Sequence, residues 1–186
     1  MGAVSEQPGR YTRSASGMVG ALVVTVLVIL GFVAFRAFNR SELEVRPDRV
    51  DYLSQVRFAQ QAGADVVYPA GLPTGWYATR VSFSSEGPPE LTMSMLTGDG
   101  DYVGFTQSRA TLGELLTDYV DAHPEAGAPV KVDGSLVPTW SSWTDAGGDT
   151  ALAATRGRET LLVFGTASER EIEELAASLT AAPVAG

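Results

Sequence analysis

His123 is the only imidazole in the chain, and there is no cysteine. Without thiols, disulfides, thiolate metal sites, iron–sulfur clusters and cysteine nucleophiles are all excluded, and one histidine excludes a multi-histidine metal site. His123 stands just before Pro124, at the expected end of a helix. A histidine there complements the helix C-terminus more readily than it serves as a catalytic base. No G-x-S-x-G elbow exists to present a serine to it. Asp99, Asp101 and Gly104 invite a calcium-loop reading, which needs oxygen ligands at loop positions 1, 3, 5, 9 and 12. Counting from Asp99, position 5 is Val103 and position 12 is Ala110, so the pattern fails. Both aspartates are then turn residues, as are Asp145 and Asp149, which flank two glycines. Glu169, Glu171, Glu173 and Glu174 fall in the first turns of an expected helix, where they complement its dipole and face solvent. No Walker loop or dinucleotide fingerprint is present. The sequence therefore names no catalytic residue, no cofactor and no metal ligand. Paired carboxylates remain a possibility in any acidic chain, although nothing in the sequence brings two to one cleft. The aromatic residues are the remaining candidates, and Trp76, Tyr102, Trp140 and Trp143 form a candidate binding surface. Trp140 and Trp143 lie three apart, so in a strand they point to opposite faces, one toward a core and one toward the surface.

These residues are carried by 186 positions with 22 acidic and 13 basic side chains, a formal charge of -9. An acidic chain lacks the basic face that nucleic acid demands, so no nucleic-acid partner is expected. Met18 to Phe35 contains no charged residue, and the uncharged stretch extends back to Ser14 between Arg13 and Arg36. At about 1.5 Å per helical residue such a stretch covers roughly 27 to 33 Å, close to the hydrocarbon thickness of a bilayer. The apolar run exceeds a signal-peptide h-region and no small-x-small cleavage site follows it, so an uncleaved single-pass anchor is expected, with the lipid bilayer as its partner. The charges flanking the span leave its orientation open, because long domains translocate largely regardless of charge.

The expected organisation is a tail at 1–13, a transmembrane helix at 14–38, a connector with a helix at 39–65, a globular domain at 66–182 and a tail at 183–186. Within the connector, Asp48 to Ala62 has helical periodicity through Tyr52, Val56 and Ala59. That helix packs on the domain or stands as a stalk. Tyr77, Thr79, Val81 and Phe83 alternate on one face of a strand. Leu91, Met93 and Met95 alternate on the next, and Thr97 to Asp101 turns the chain into Tyr102 to Ser108. Thr111 and Glu114 have capping-box spacing ahead of a helix to Asp121, as do Ser168 and Glu171 ahead of the last helix. Ser84 to Pro89 reads as a loop, and Val130 to Trp143 as one strand or two short ones. A second hairpin crosses Arg156-Gly157-Arg158, and Leu161 to Phe164 is apolar on both faces, as in a central strand. The fold class is α+β: after the transmembrane helix, an antiparallel sheet of about six strands with helices packed on one face.

The order of these segments carries a resemblance. Leu72-Pro73-Thr74-Gly75-Trp76, Tyr102 to Ser108 and Gly165 to Leu179 are its stronger parts, within a similarity that runs from about Tyr11 to Leu179. The chain resembles the actinobacterial membrane proteins grouped as domain of unknown function 4245. The resemblance implies a single-pass protein of the cytoplasmic membrane with its domain on the extracytoplasmic side, and it carries over no catalytic residue. The expected function is a membrane-anchored envelope protein whose domain is a non-catalytic module for an envelope protein partner or a ligand. The alternatives are an extracytoplasmic sensor of a small envelope ligand and a carboxylate-only hydrolase.

Overall fold

The structure is a computed structural model that describes residues 15–38, 47–84 and 90–184. The expected N-terminal tail, the first half of the connector, most of the Ser84–Pro89 loop and the last two residues lie outside the described residues. The chain divides into two compact units, Met1–Arg46 and Pro47–Gly186.

The first unit holds helix α1 (Ala15–Phe38, 24 residues). Its described large apolar side chains, among them Val19, Leu22, Leu27, Leu30 and Phe35, are all exposed. Among the described residues no helix is long and apolar enough to cross a membrane. The side chains described in α1 run unbroken only from Leu22 to Val33, which is about 18 Å of helix.

The second unit opens with α2 (Tyr52–Gln61), started by Asp51, whose carboxylate accepts from the Ser54 N–H and from the Ser54 hydroxyl. The helix begins later than the periodicity at Asp48 suggests because this cap fixes its first turn. Tyr52, Val56 and Ala59 are buried, so α2 is part of the globular unit, which begins ahead of position 66. Six longer strands follow in the main sheet: β2 (Tyr77–Ser84), β3 (Glu90–Leu96), β4 (Tyr102–Ser108), β7 (Thr139–Thr144), β8 (Thr150–Arg156) and β9 (Glu159–Gly165). All pair antiparallel in the order β2-β3-β4-β9-β8-β7. The two-residue strands β5 (Glu125–Ala126) and β6 (Val130–Lys131) both pair with β7. A separate ribbon joins β1 (Tyr68–Pro69) to β10 (Leu179–Thr180), which follows α4 (Glu169–Ser178) directly. Helix α3 (Leu112–Tyr119) lies between β4 and β5.

The sheet separates two hydrophobic cores. On one face α2 and α4 cover Met93, Met95, Phe105, Leu161, Val163 and Trp140. On the other, Leu115 and Leu116 of α3 pack on Ala151, Ala153, Leu162 and Phe164. The expectation of helices on one face is thus corrected: α2 and α4 share a face and α3 takes the opposite one. The cause is visible in β8 and β9, where both the odd and even positions are apolar, so both faces need a cover. A second correction falls in β2. The pairing shifts between Ala78 and Arg80, a bulge that changes which side chains face inward. Ala78 joins Val81 and Phe83 against the α2–α4 core, while the Tyr77 ring meets the Arg49 guanidinium at 4.9 Å.

Two glycines shape the α3 face. A Cβ on Gly104 would stand 2.4 Å from the tip of the Phe164 ring, so the strand must be bare there for the ring to lie flat on it. Gly165 has φ +152°, and a Cβ there would strike the Tyr102 carbonyl.

Candidate functional site

Antiparallel pairing brings four strand ends to one edge of the sheet. Gln107 stands opposite both Leu91 and Leu161, Ser108 opposite Thr160, and Arg156 opposite Glu159. Beyond them lie Glu90, which starts β3, and Arg109, which leads into α3. Asp65, Gln107, Arg109, Arg156 and Glu159 lie up to 94 positions apart in sequence but form one connected cluster.

Gln107 is its centre. It is buried at 3% exposure, on the strand face that carries Val103 and Phe105 into the α2–α4 core. Its Oε1 accepts from the Val67 N–H at 2.6 Å. Its Nε2 donates to the Asp65 carbonyl at 2.8 Å and to the Glu159 carboxylate. The Asp65 carboxylate is held in turn by both terminal nitrogens of Arg156, at 3.0 and 3.3 Å. Glu159 also faces Arg109, with 3.9 Å between its Oε1 and the Arg109 Nε. Among the described residues this contact is the one partner of the Arg109 guanidinium, leaving its terminal nitrogens open.

On the α3 side, the Tyr119 hydroxyl donates to Glu90 at 2.7 Å, and Thr92 donates to the same oxygen at 3.2 Å. Burial and the Glu90 carboxylate both push the Tyr119 phenol above its ordinary range. Glu114 completes the capping box: one carboxylate oxygen accepts from the Thr111 N–H and the Thr111 hydroxyl, each at 2.8 Å. Those two donors hold the Glu114 carboxyl below the usual range. Asp118 follows one helical turn later on the same side of α3.

A cleft of about 520 Å³ is lined by Glu90, Ser108, Arg109, Glu114 and Asp118. A second, of about 460 Å³, is lined by Asp65, Arg109, Arg156, Arg158 and Glu159. A smaller recess of about 210 Å³ sits over Gln107, Phe83 and Leu91, and Arg109 lines that one as well.

The four aromatic candidates are not brought together. Trp140 is fully buried in the α2–α4 core, its Nε1–H donating to the Val137 carbonyl at 2.7 Å. Trp76 is buried in the same core. Tyr102 and Trp143 are half-buried against the α3 core, Tyr102 with its ring 6.0 Å from that of Phe164. Trp140 and Trp143 do point to opposite faces. His123 is exposed in the turn after α3, its backbone N–H donating to the Asp121 carboxylate at 2.8 Å. Asp101 and Asp145 serve turns: Thr97 N–H donates to the Asp101 carbonyl, and the Asp145 carboxylate accepts from the Asp149 N–H. Among the described residues no group of three or more His, Cys, Asp or Glu side chains converges as a metal site.

The polar edge was not singled out from the sequence. Its members are scattered from Asp65 to Glu159, and the one local signal is that Gln107 continues the alternation of Val103 and Phe105 in β4.

Comparison with known proteins reaches the same breadth as the fold. The family model for a protein of unknown function, DUF4245, matches residues 10–179. The chain belongs to this family. The DUF4245 match takes in α1, the whole main sheet, α4 and the polar edge. No curated protein and no solved structure matches the chain.

Proposed function

We propose that this DUF4245 protein is a single-pass membrane protein whose α+β unit is a non-catalytic module that binds a ligand or protein partner in the cell envelope. The observation that carries the anchor is α1 itself. It is a 24-residue helix, about 36 Å long, in which every described large apolar side chain is exposed, Val26 least so at 46%. A helix apolar all round is stable in water only if something covers it, and a bilayer covers all faces at once. The extracytoplasmic placement of the unit, and an actinobacterial envelope as its setting, are carried into this reading from the sequence resemblance.

The non-catalytic reading is supported by the state of the cleft carboxylates. Glu114 has its acidity raised by cap donors, the opposite of what a general acid requires, and Glu90 is engaged by two hydroxyl donors. Membrane fractionation tests the anchor. The protein is expected to stay in the pellet through alkaline carbonate extraction and to leave it with detergent. Release by carbonate alone overturns the reading.

A further inference from the structure

The two ends of the main sheet are finished differently. At one end β5 and β6 pair with the outer side of β7. At the other, β2 is the last strand, and the Val50 N–H covers it only at the Ala78 carbonyl. The direction of its remaining peptide groups follows from β3. The Leu91 carbonyl accepts from the Thr106 hydroxyl on the β4 side, and the Ser94 carbonyl accepts from the Thr79 hydroxyl on the β2 side. Alternation then bonds Ser94, Thr92 and Glu90 to the residues opposite them, Arg80, Ser82 and Ser84. Val81 and Phe83 turn their N–H and C=O groups outward, where no backbone partner meets them among the described residues. Such an open edge is a template for another strand. The Val81 and Phe83 side chains pack on the α2–α4 core and are only half-buried. Helix α2 packs on this strand, while α4 covers β8 and β9. Gln60 of α2 faces the segment that follows α4, bonded to the Ala182 carbonyl and the Val184 N–H. Phe58 lies about 160° round the helix from Gln60. It therefore stands on the flank toward the open edge, and it is 71% exposed.

We propose that a second copy of this chain pairs at this edge, β2 against β2, antiparallel about a two-fold axis through Ser82. The inference goes beyond the reading above and holds whether or not α1 lies in lipid. The edge is complementary to itself, as a two-fold interface requires. Val81 of each copy stands opposite Phe83 of the other and exchanges both backbone hydrogen bonds with it, while Ser82 meets Ser82 as a non-hydrogen-bonded pair. This is the register that gives both Val81 and Phe83 an apolar partner, with Phe58 of each α2 on the same side of the joint. On the opposite face Arg80 comes beside Ser84 of the second copy, and the next strand carries Glu90 opposite that serine. Two strand spacings, roughly 10 Å between Cα atoms, separate Arg80 from that glutamate, a span the two side chains bridge. Arg80 is exposed and has no partner among the described residues. The Thr92 and Tyr119 hydroxyls engage one oxygen of Glu90, so the other is open to the guanidinium.

The chain has no cysteine, so single thiols report the register. Ser82→Cys sets two thiols across the axis with about 4.5 Å between Cα atoms, inside the disulfide range. In the full chain in an uncharged detergent, with copper phenanthroline as oxidant, Ser82→Cys is expected to form a linked dimer about tenfold faster than Asp99→Cys, in the exposed turn after β3. The cysteine-free chain is expected to sediment as a dimer. Phe58→Ser and Arg80→Glu are each expected to raise its dissociation constant about tenfold, the first by losing apolar cover and the second by setting Glu against Glu90. Both residues are exposed, so the melting temperature of each variant stays that of the parent once the dimer is diluted apart. A single-chain mass at about 100 μM overturns the proposal, as does equal cross-linking at the two thiols. A dimer indifferent to both substitutions overturns it by placing the contact elsewhere. Ser82→Cys linked to a different protein in intact membranes overturns it in favour of a foreign strand.

Discussion

Replacing Gln107 by leucine keeps the volume of a buried side chain and deletes three hydrogen bonds. The Val67 N–H lies on a residue with no exposure and would be left without an acceptor, at a cost of about 1–3 kcal/mol. The Asp65 carbonyl and the Glu159 carboxylate sit nearer solvent and can recruit water, so each loses only a net hydrogen bond, roughly 0.5–1.5 kcal/mol. Together Q107L is expected to destabilise the unit by about 3 kcal/mol, which lowers Tm by roughly 6–12 °C for a unit of about 140 residues. The assay is a thermal melt of the full chain in detergent, followed by tryptophan fluorescence, since Trp76 and Trp140 report directly on the core. Q107E sharpens it. The introduced carboxyl can still accept from Val67, but when ionised it faces the Glu159 carboxylate and the Asp65 carbonyl with no donor. Its folded-state pKa is therefore raised, its stabilising contribution is complete below the unfolded carboxyl pKa, and that contribution is lost as pH rises through the folded value. Q107E should accordingly melt closer to the parent at about pH 5 than at about pH 8. A Q107L loss under about 1 kcal/mol, or a Q107E deficit that does not grow with pH, refutes the view of Gln107 as the organiser of the polar edge.

Three further outcomes follow from the same geometry. Gly104→Ala is expected to cost about 1–3 kcal/mol through overpacking on the Phe164 ring, and Phe164→Leu should relieve part of that in a double-mutant cycle; additive losses contradict it. The Glu114 carboxyl, followed by NMR titration, should titrate below the usual glutamate range and move back toward it in Thr111→Ala. Because its folded pKa is depressed, the stability it adds is present above the unfolded value and lost as pH falls through the folded one. The Tyr119 phenol, followed by ultraviolet absorbance, should ionise above the ordinary tyrosine range, and Glu90→Gln should bring it partway down.

Local chemistry was legible in the sequence. The capping boxes at Thr111–Glu114 and Ser168–Glu171 form with those residues, and the Thr97–Asp101 turn joins β3 to β4. The doubly apolar run Leu161–Phe164 does lie at the centre of the sheet, between β4 and β8. What sequence periodicity could not carry was anything settled by long-range register. The face taken by α3 depends on which side of β8 and β9 was left uncovered, and the bulge at Ala78–Arg80 leaves no mark on an alternating pattern. The ribbon of β1 with β10 joins segments more than 100 residues apart and only two residues long, too short for any periodic signal. The polar edge fails for the same reason: Asp65, Gln107, Arg109 and Glu159 become neighbours only when β4 and β9 pair.

The central claim is that α1 lies in lipid. The chain has no cysteine, so a single nitroxide can be placed at Leu27→Cys without background, and its collision rates with oxygen and with a water-soluble nickel chelate can be compared in liposomes. High oxygen and low nickel accessibility at that site, with the reverse at Asp99→Cys in the exposed turn of the globular unit, is the expected result. Ready collision of the nickel chelate with the label at Leu27→Cys contradicts it.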